Sequence, residues 1–202
     1  MPEKEGLVLV RGKAVALRKR TVADIQMFLK WRRLNCQASQ FDAPWEEPES
    51  DDEYAAKAVL AIEKEAAGPV NRAIIVDAEG LPIGSVNCYG DKGCQESRLV
   101  GISIYEDSRL NKGLGSEALG IWLRHLFQTR KLHRVGLVTW SFNVRMIRVA
   151  GKLGFKLEGR EREVRFWDGQ WLDRLHYGML ETEWRELEKK RQQGAGRSGL
   201  GG

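Results

Sequence analysis

The sequence predicts one mixed α/β domain, and three local patterns indicate this fold class. Between Arg72 and Tyr105, alternating apolar segments separated by turn residues predict an antiparallel meander of three strands. The last strand of the meander is followed by a helix with an apolar stripe and then by a further apolar strand. This βαβ order places the two strands in parallel. Because Asp168-Gly169 is a strong hairpin signal, two more antiparallel strands are expected near the end. The expected sheet is mostly antiparallel, with one parallel pair at its centre and helices on its flanks.

Two short strands and two helices are expected before the meander. The strands cover residues 7–10 and 13–18. Thr21 with Asp24, and later Ser50 with Glu53, have capping-box spacing, and each pair precedes a segment whose apolar residues recur on one helical face. Gly68-Pro69 ends the second helix. The faces expected to be buried comprise Ile25, Phe28 and Leu29 in the first helix, and Tyr54, Ala55, Ala58, Val59 and Ile62 in the second.

Three further helices are expected after the meander. The first spans residues 115–128, and Asn143 is placed to cap the second, which Gly154 ends. The third covers residues 181–191 and is followed by a glycine- and serine-rich segment that is typical of a flexible tail. We therefore divide the chain into a domain of residues 1–187 and a basic, glycine-rich tail of residues 188–202.

Composition excludes several classes of protein. The 202 residues are 42% hydrophobic, and no apolar run approaches the roughly 18 to 20 residues of a membrane span. The three cysteines have no CxxC spacing and the start lacks a signal-peptide core, so a cytoplasmic location is expected. The net charge of +5 is concentrated in residues 188–202, which carry four basic side chains against one acidic one. Neither DNA nor a membrane is therefore an expected partner.

A glycine pair at a helix start indicates a phosphate site. Gly113, Gly115 and Ala118 match the GxGxxA dinucleotide pattern, and N–H groups at a helix start attract anions. In a dinucleotide-binding unit, however, the glycines follow the strand immediately and an acid comes about 20 residues later. Here six residues intervene, and no acid lies between Glu117 and Glu158. Another phosphate ligand is favoured, and a plain solvated basic surface is the alternative.

Three segments resemble one known family. They read SIYEDSRLNKGLGSEA, NVRMIRVAGKLGFKLEG and DGQWLDRLHYGMLETEW, and they are similar to the RimJ/RimL-type branch of the GNAT superfamily of acetyl-CoA-dependent N-acetyltransferases. The resemblance implies that acetyl-CoA lies where the third meander strand and the next parallel strand splay apart. No metal is expected, because His125, His133 and His176 show no metal-ligand spacing. The residues that the resemblance places against the cofactor are Ile104, Tyr105, Leu110, Asn111, Lys112, Gly113, Leu114, Gly115, Ser116 and Asn143.

This chain departs from the family pattern at two places. Leu110 and Asn111 stand where the family has Gln or Arg followed often by Gly, although backbone N–H donors do not depend on side-chain identity. Ala150 stands where many members have a tyrosine that protonates the departing thiolate. The thiol has a pKa of about 8.5, so it needs little help from an acid.

The implied reaction is direct attack of a neutral amine on the thioester within a ternary complex. The catalytic candidates are Asn143, which would orient the amine or a water, Tyr105 and Glu106 as proton-handling groups, and Ser141. Each has a plainer interpretation: Asn143 as a helix cap, Tyr105 as core and Glu106 as a solvated turn residue. A backbone N–H near Tyr105 is expected to meet the oxyanion. Trp31 and Trp45 are candidates for lining the acceptor cleft.

The acceptor is expected to be a protein N-terminal α-amine of ribosomal-protein type. At pH 7 an α-amine with a pKa near 8 is about one pH unit below its pKa, whereas a lysine or polyamine amine is over three units below. The neutral amine that attacks is therefore easier to form from the α-amine. A small amine or polyamine remains the alternative, as does a catalytically silent acyl-CoA-binding module. The acids of residues 46–53 either favour the helix that follows or attract a cationic acceptor. Homodimerisation stays open.

Overall fold

One eight-stranded sheet organises the protein. The computed structural model describes residues 7–34, 36–41, 43–91 and 94–197. Within these ranges the sheet order is β1-β2-β3-β4-β5-β6-β8-β7, in which only β5 and β6 pair in parallel. This confirms the predicted fold class. The strands are β1 Val8–Arg11, β2 Val15–Lys19, β3 Arg72–Asp77, β4 Pro82–Asp91, β5 Cys94–Ile104, β6 Arg134–Trp140, β7 Lys156–Trp167 and β8 Gln170–Leu180.

The two predicted capping pairs are formed, and the first closes a 3₁₀ turn, Val22–Asp24, that leads directly into the first α-helix. The Asp24 carboxylate accepts the backbone N–H of Thr21 at 2.7 Å, and Ser50 and Glu53 form the second capping box. Gly154 ends the fifth helix in the left-handed region, with φ of 95°. No helix in the described part of the chain is both long and apolar enough to cross a membrane. The helices are α1 Ile25–Arg33, α2 Gln37–Phe41, α3 Asp51–Ala67, α4 Leu114–Arg130, α5 Val144–Leu153 and α6 Glu181–Arg197.

Helices cover both faces of the sheet. The larger core packs α4, α5 and α6 against β2 to β6 and β8, with Trp122 of α4 fully buried. The Trp122 indole N–H donates to the carbonyl of Asn87 in β4 at 3.1 Å, which fixes the helix against the sheet. On the other face, Phe28 and Trp31 of α1 pack on Ile74, and α3 packs on α1.

The parallel pair separates along its length. β5 and β6 are paired only where Ser97–Leu99 oppose 134–136. Beyond Leu99, β5 stays paired with β4 as far as Ile104, and β6 stays paired with β8 as far as Trp140. The two inner edges therefore diverge while each strand keeps its outer neighbour, and a cleft opens between them.

Two features differ from the expectations. The short helix α2 lies in a stretch expected to be irregular, and α6 continues to Arg197, through part of the expected tail. Glu188, the first tail residue, contacts Arg124 of α4 at 3.0 Å. The division at residue 188 remains a prediction. Residues 198–202 lie outside the described part, as do Lys92 and Gly93, where the sequence predicts a turn of the meander.

Candidate active site

The cleft between the splayed strands contains a cavity of about 380 Å³. This volume lies within the range of small-molecule sites. The walls come from β4, β5, β6, α2, the loop before α4, and α5. The sequence-predicted residues among its lining are Ile104, Leu110, Asn111, Gly113, Leu114, Gly115, Ser116 and Asn143.

The start of α4 contributes backbone N–H donors to the wall of the cavity. Asn111 and Gly113 have φ of 59° and 79°, so the loop turns through the left-handed region twice before the helix. Gly113 is the N-cap and supplies no side chain to bond the first N–H groups of this 17-residue helix. Those donors, together with the positive end of the helix dipole, fit a pyrophosphate.

The edge of β5 supplies backbone donors along the cleft. The Tyr105 N–H donates to the carbonyl of Ile83 in β4 at 3.0 Å, so it is not a free donor for an oxyanion. Antiparallel pairing alternates, and the N–H groups of Ile102 and Ile104 consequently point away from β4, toward the cleft. The expected oxyanion donor near Tyr105 stays a prediction, and the cleft-facing N–H groups closest to it in sequence are those of Ile104 and Ile102.

Asn143 lies at the cavity wall and acts as a helix cap. Its Oδ1 accepts the N–H of Met146 at 3.0 Å, and its Nδ2 donates to the carbonyl of Phe41 at 3.3 Å. Its polar atoms are thus engaged by α5 and α2. Ser141 lies outside the cavity lining, and its Oγ accepts the N–H of Asp173 at 3.1 Å. Ser141, which directly follows β6, is thus hydrogen-bonded to β8, and its catalytic role stays a prediction.

The other predicted side chains do not line the cavity. Trp31 is 4% exposed, and its ring stacks on Tyr105 at a centroid separation of 4.7 Å. Glu106 is exposed at the turn that follows β5. Trp45 packs edge-on to Trp140 at 4.7 Å, beside the cleft. Lys112 is also absent from the lining.

The short helix α2 covers part of the cleft. The Gln37 N–H donates to the Asp107 carboxylate at 3.1 Å, and Arg145 of α5 donates to the Gln37 amide oxygen. Phe41 stacks on Phe142 at 5.9 Å. No sequence motif pointed to these residues, because a five-residue helix shows no period and its position depends on contacts with α5.

The cavity wall is rich in arginine. Arg109, Arg145 and Arg148 line it, and no described Asp or Glu does. Arg109 is held by the buried carboxylate of Asp77 at 2.7 Å. The resulting electrostatic field suits the phosphates of a coenzyme and offers no counter-charge to a polycation.

Three of the six acids in residues 46–53 make contacts that stabilise the local structure. Glu53 completes the capping box, Asp51 pairs with Arg33 at 2.6 Å, and Glu49 pairs with Lys57. These contacts favour the interpretation as a helix start. Within the described residues, no group of three metal-ligating side chains occurs.

Comparisons with known proteins agree with this geometry. A family model described as an acetyltransferase (GNAT) domain matches residues 15–156. The SPbeta prophage-derived uncharacterized N-acetyltransferase YokL of Bacillus subtilis (strain 168) is 33% identical over 82 residues, which cover 41% of this chain and 46% of that protein. The ribosomal protein uS5-alanine N-acetyltransferase of Escherichia coli (strain K12) is 32% identical over 73 residues, covering 36% and 38%. The matched regions span less than half the length of either relative.

A solved structure shares the fold. The spermidine N-acetyltransferase from Vibrio cholerae in complex with CoA and spermine aligns with a TM-score of 0.70 and 22% identity, over 84% of this chain and 97% of that one. The splayed sheet and the family match agree in assigning an acetyltransferase (GNAT) domain to this chain. The chain belongs to the GNAT acetyltransferase family, whose members use acetyl-CoA.

Proposed function

We propose that the protein transfers an acetyl group from acetyl-CoA to the α-amine of a protein N-terminus. The start of α4 would hold the pyrophosphate, and the pantetheine arm would lie along the free edge of β5. The likeness to the uS5-alanine N-acetyltransferase supports a protein acceptor. The cytoplasmic location, the absence of a DNA partner and any homodimer stay predictions.

The observation that carries the choice of acceptor is the charge of the cavity wall. A polyamine brings several positive charges, and here it would meet a wall with three guanidinium groups and no described carboxylate, although Arg109 is itself paired with Asp77 behind the wall. An α-amine carries a single charge, and because its pKa is near 8, only about one pH unit above pH 7, its neutral form is readily available. The carboxylate-free wall therefore favours an α-amine over spermidine or lysine.

The reaction needs little from the protein beyond orientation. The amine nitrogen attacks the thioester carbonyl, forming a C–N bond as the C–S bond breaks. The oxyanion would be stabilised by the cleft-facing N–H groups of Ile102 and Ile104. The amine loses one proton and the CoA thiolate takes up one, giving amide and thiol. Ala150 is fully buried and has no acidic group, so the thiolate leaves without a protein acid at this position.

Two other functions have specific support. The shared fold with a spermidine N-acetyltransferase favours a small amine or polyamine acceptor. The alanine at position 150 favours a catalytically silent acyl-CoA-binding module.

Thiol release from acetyl-CoA distinguishes these functions. The purified protein is incubated with alanine- and serine-initiated peptides, the same peptides with blocked N-termini, spermidine and a small primary amine. We expect release with the free peptides only. Turnover of spermidine alone supports the polyamine function, and CoA binding without release on any amine contradicts an enzymatic role.

A further inference from the structure

An asparagine amide lies at the closed end of the cleft. Asn87 of β4 lines the cavity, and its Oδ1 is buried without a hydrogen-bond partner among the described residues. A buried acceptor that lacks a donor is costly, because the oxygen has lost its hydration. The site therefore has a hydrogen-bond acceptor suited to a ligand that brings an N–H.

The backbone places this amide beside the cleft by means of a glycine. Asn87 is directly opposite Gly101 of β5, and opposed residues of a pair project from the same face. A Cβ at Gly101 would lie 2.5 Å from the Asn87 Oδ1. Because Gly101 has no side chain, the Asn87 amide can occupy the space above it.

The amide lies where the acetyl end of the coenzyme is expected. Gly101 is two residues beyond Leu99, the last residue of β5 that pairs with β6. A coenzyme whose pyrophosphate is bound at the start of α4 would extend its arm from Ile104 toward this closed end, about 10 Å along the strand.

We propose that the Asn87 Oδ1 accepts an N–H of the acceptor amine and thereby orients the lone pair of the amine nitrogen toward the thioester carbon. The inference rests on the proposed function. An amide oxygen accepts a hydrogen bond without a formal negative charge, so it orients a neutral amine and stabilises the ammonium form less than a carboxylate would. Asn87 does not act as a base. The amine proton leaves to solvent, and the CoA thiolate takes up a proton.

The test compares amine kinetics with coenzyme binding. In Asn87→Ala, kcat/KM for the acceptor peptide is expected to fall about tenfold, the scale of one lost hydrogen bond to a reacting group, while the Kd for CoA stays within about twofold. Ser85→Ala is the matched control, because Ser85 is buried on the same face of β4 but does not line the cavity. It should leave the peptide kinetics unchanged.

Asn87→Asp supplies a readout that a purely structural role would not change. A carboxylate beside the bound amine raises the pKa of its ammonium form, so the midpoint of the kcat–pH profile should move to higher pH. This variant keeps the shape of the side chain, so it remains informative if Asn87→Ala fails to fold.

Three results would overturn the inference. They are unchanged peptide kinetics in Asn87→Ala, an unmoved pH midpoint in Asn87→Asp, and a weakened CoA affinity with an unchanged peptide KM, which would assign Asn87 to the pantetheine arm. If none of the tested amines causes the wild-type protein to release thiol from acetyl-CoA, the proposed function itself fails.

Discussion

The Glu117 carboxylate in the first turn of α4 accepts the backbone N–H of Ala14 at 2.8 Å, which ties the β1–β2 turn to the helix that starts at the anion site. In Glu117→Ala this N–H loses its partner, and we expect the free energy of unfolding to fall by about 1–3 kcal/mol. Urea unfolding measures the loss. Glu117→Gln keeps an acceptor oxygen and should lose less; equal losses in the two variants would contradict this role.

The conformation of Gly113 is expected to matter for coenzyme binding. A Cβ there meets no atom within 4 Å, but φ of 79° strains any other residue, at about 1–2 kcal/mol. Gly169, in the distal hairpin turn, has φ of 75° and equally open surroundings. Gly113→Ala and Gly169→Ala should therefore cost similar stability, while only the first weakens CoA binding in calorimetry. Equal CoA affinities in the two variants would argue against the α4 site.

The buried Arg18–Asp24 pair is expected to contribute strongly to stability. Its shortest separation is 2.7 Å, and its side chains are 7% and 12% exposed. Burial raises the pKa of Asp24, but the hydrogen bonds from Arg18 and Thr21 outweigh it and lower the pKa overall. Asp24→Asn leaves the Arg18 charge uncompensated, so unfolding should become easier by about 3–5 kcal/mol.

An exposed ion pair provides the control for Asp24→Asn. Arg33 is paired with Asp51, and its side chain is 72% exposed. Arg33→Gln should cost at most about 1 kcal/mol in the same denaturant titration. Comparable costs for the two variants would show that burial does not set the strength of the pair.

The partly buried His125 is expected to make the fold less stable in mild acid. Burial lowers its pKa below the ordinary 6.5, and Arg130 lowers it further. Below pH 6.5 the unfolded chain binds a proton there that the folded protein resists, so stability falls from that pH down to the lowered pKa. Between pH 7.5 and 5.5, wild type should lose more stability than His125→Gln. The exposed His133→Gln variant should behave like wild type, and an equal loss in all three proteins would exclude this cause.

The sequence predicted those features that depend on local chemistry. The capping pairs located α1 and α3, the glycine pair located the start of α4, and Asp168-Gly169 located the β7–β8 turn. Each depends on backbone conformations and hydrogen bonds within a few residues, which a short segment specifies by itself.

Features set by pairing between distant segments were missed. Asn87 is one polar residue in the segment IGSVNCY, and only its pairing with Gly101 shows that it reaches the cleft. Tyr105 directly follows Ile104, the last residue of β5, close to the expected end of the strand, but the carbonyl of Ile83 occupies its N–H and its ring stacks on Trp31. These roles depend on register and on helix packing, which no local pattern contains.

Acetylation of one peptide that carries both a free N-terminal α-amine and an internal lysine tests the central claim most directly. The peptide is mixed with equimolar spermidine and acetyl-CoA, and fragment mass spectra locate the acetyl group. We expect acetyl on the N-terminal α-amine, with lysine and spermidine unmodified. Acetyl on spermidine or on the lysine, with the α-amine left free, would contradict the claim.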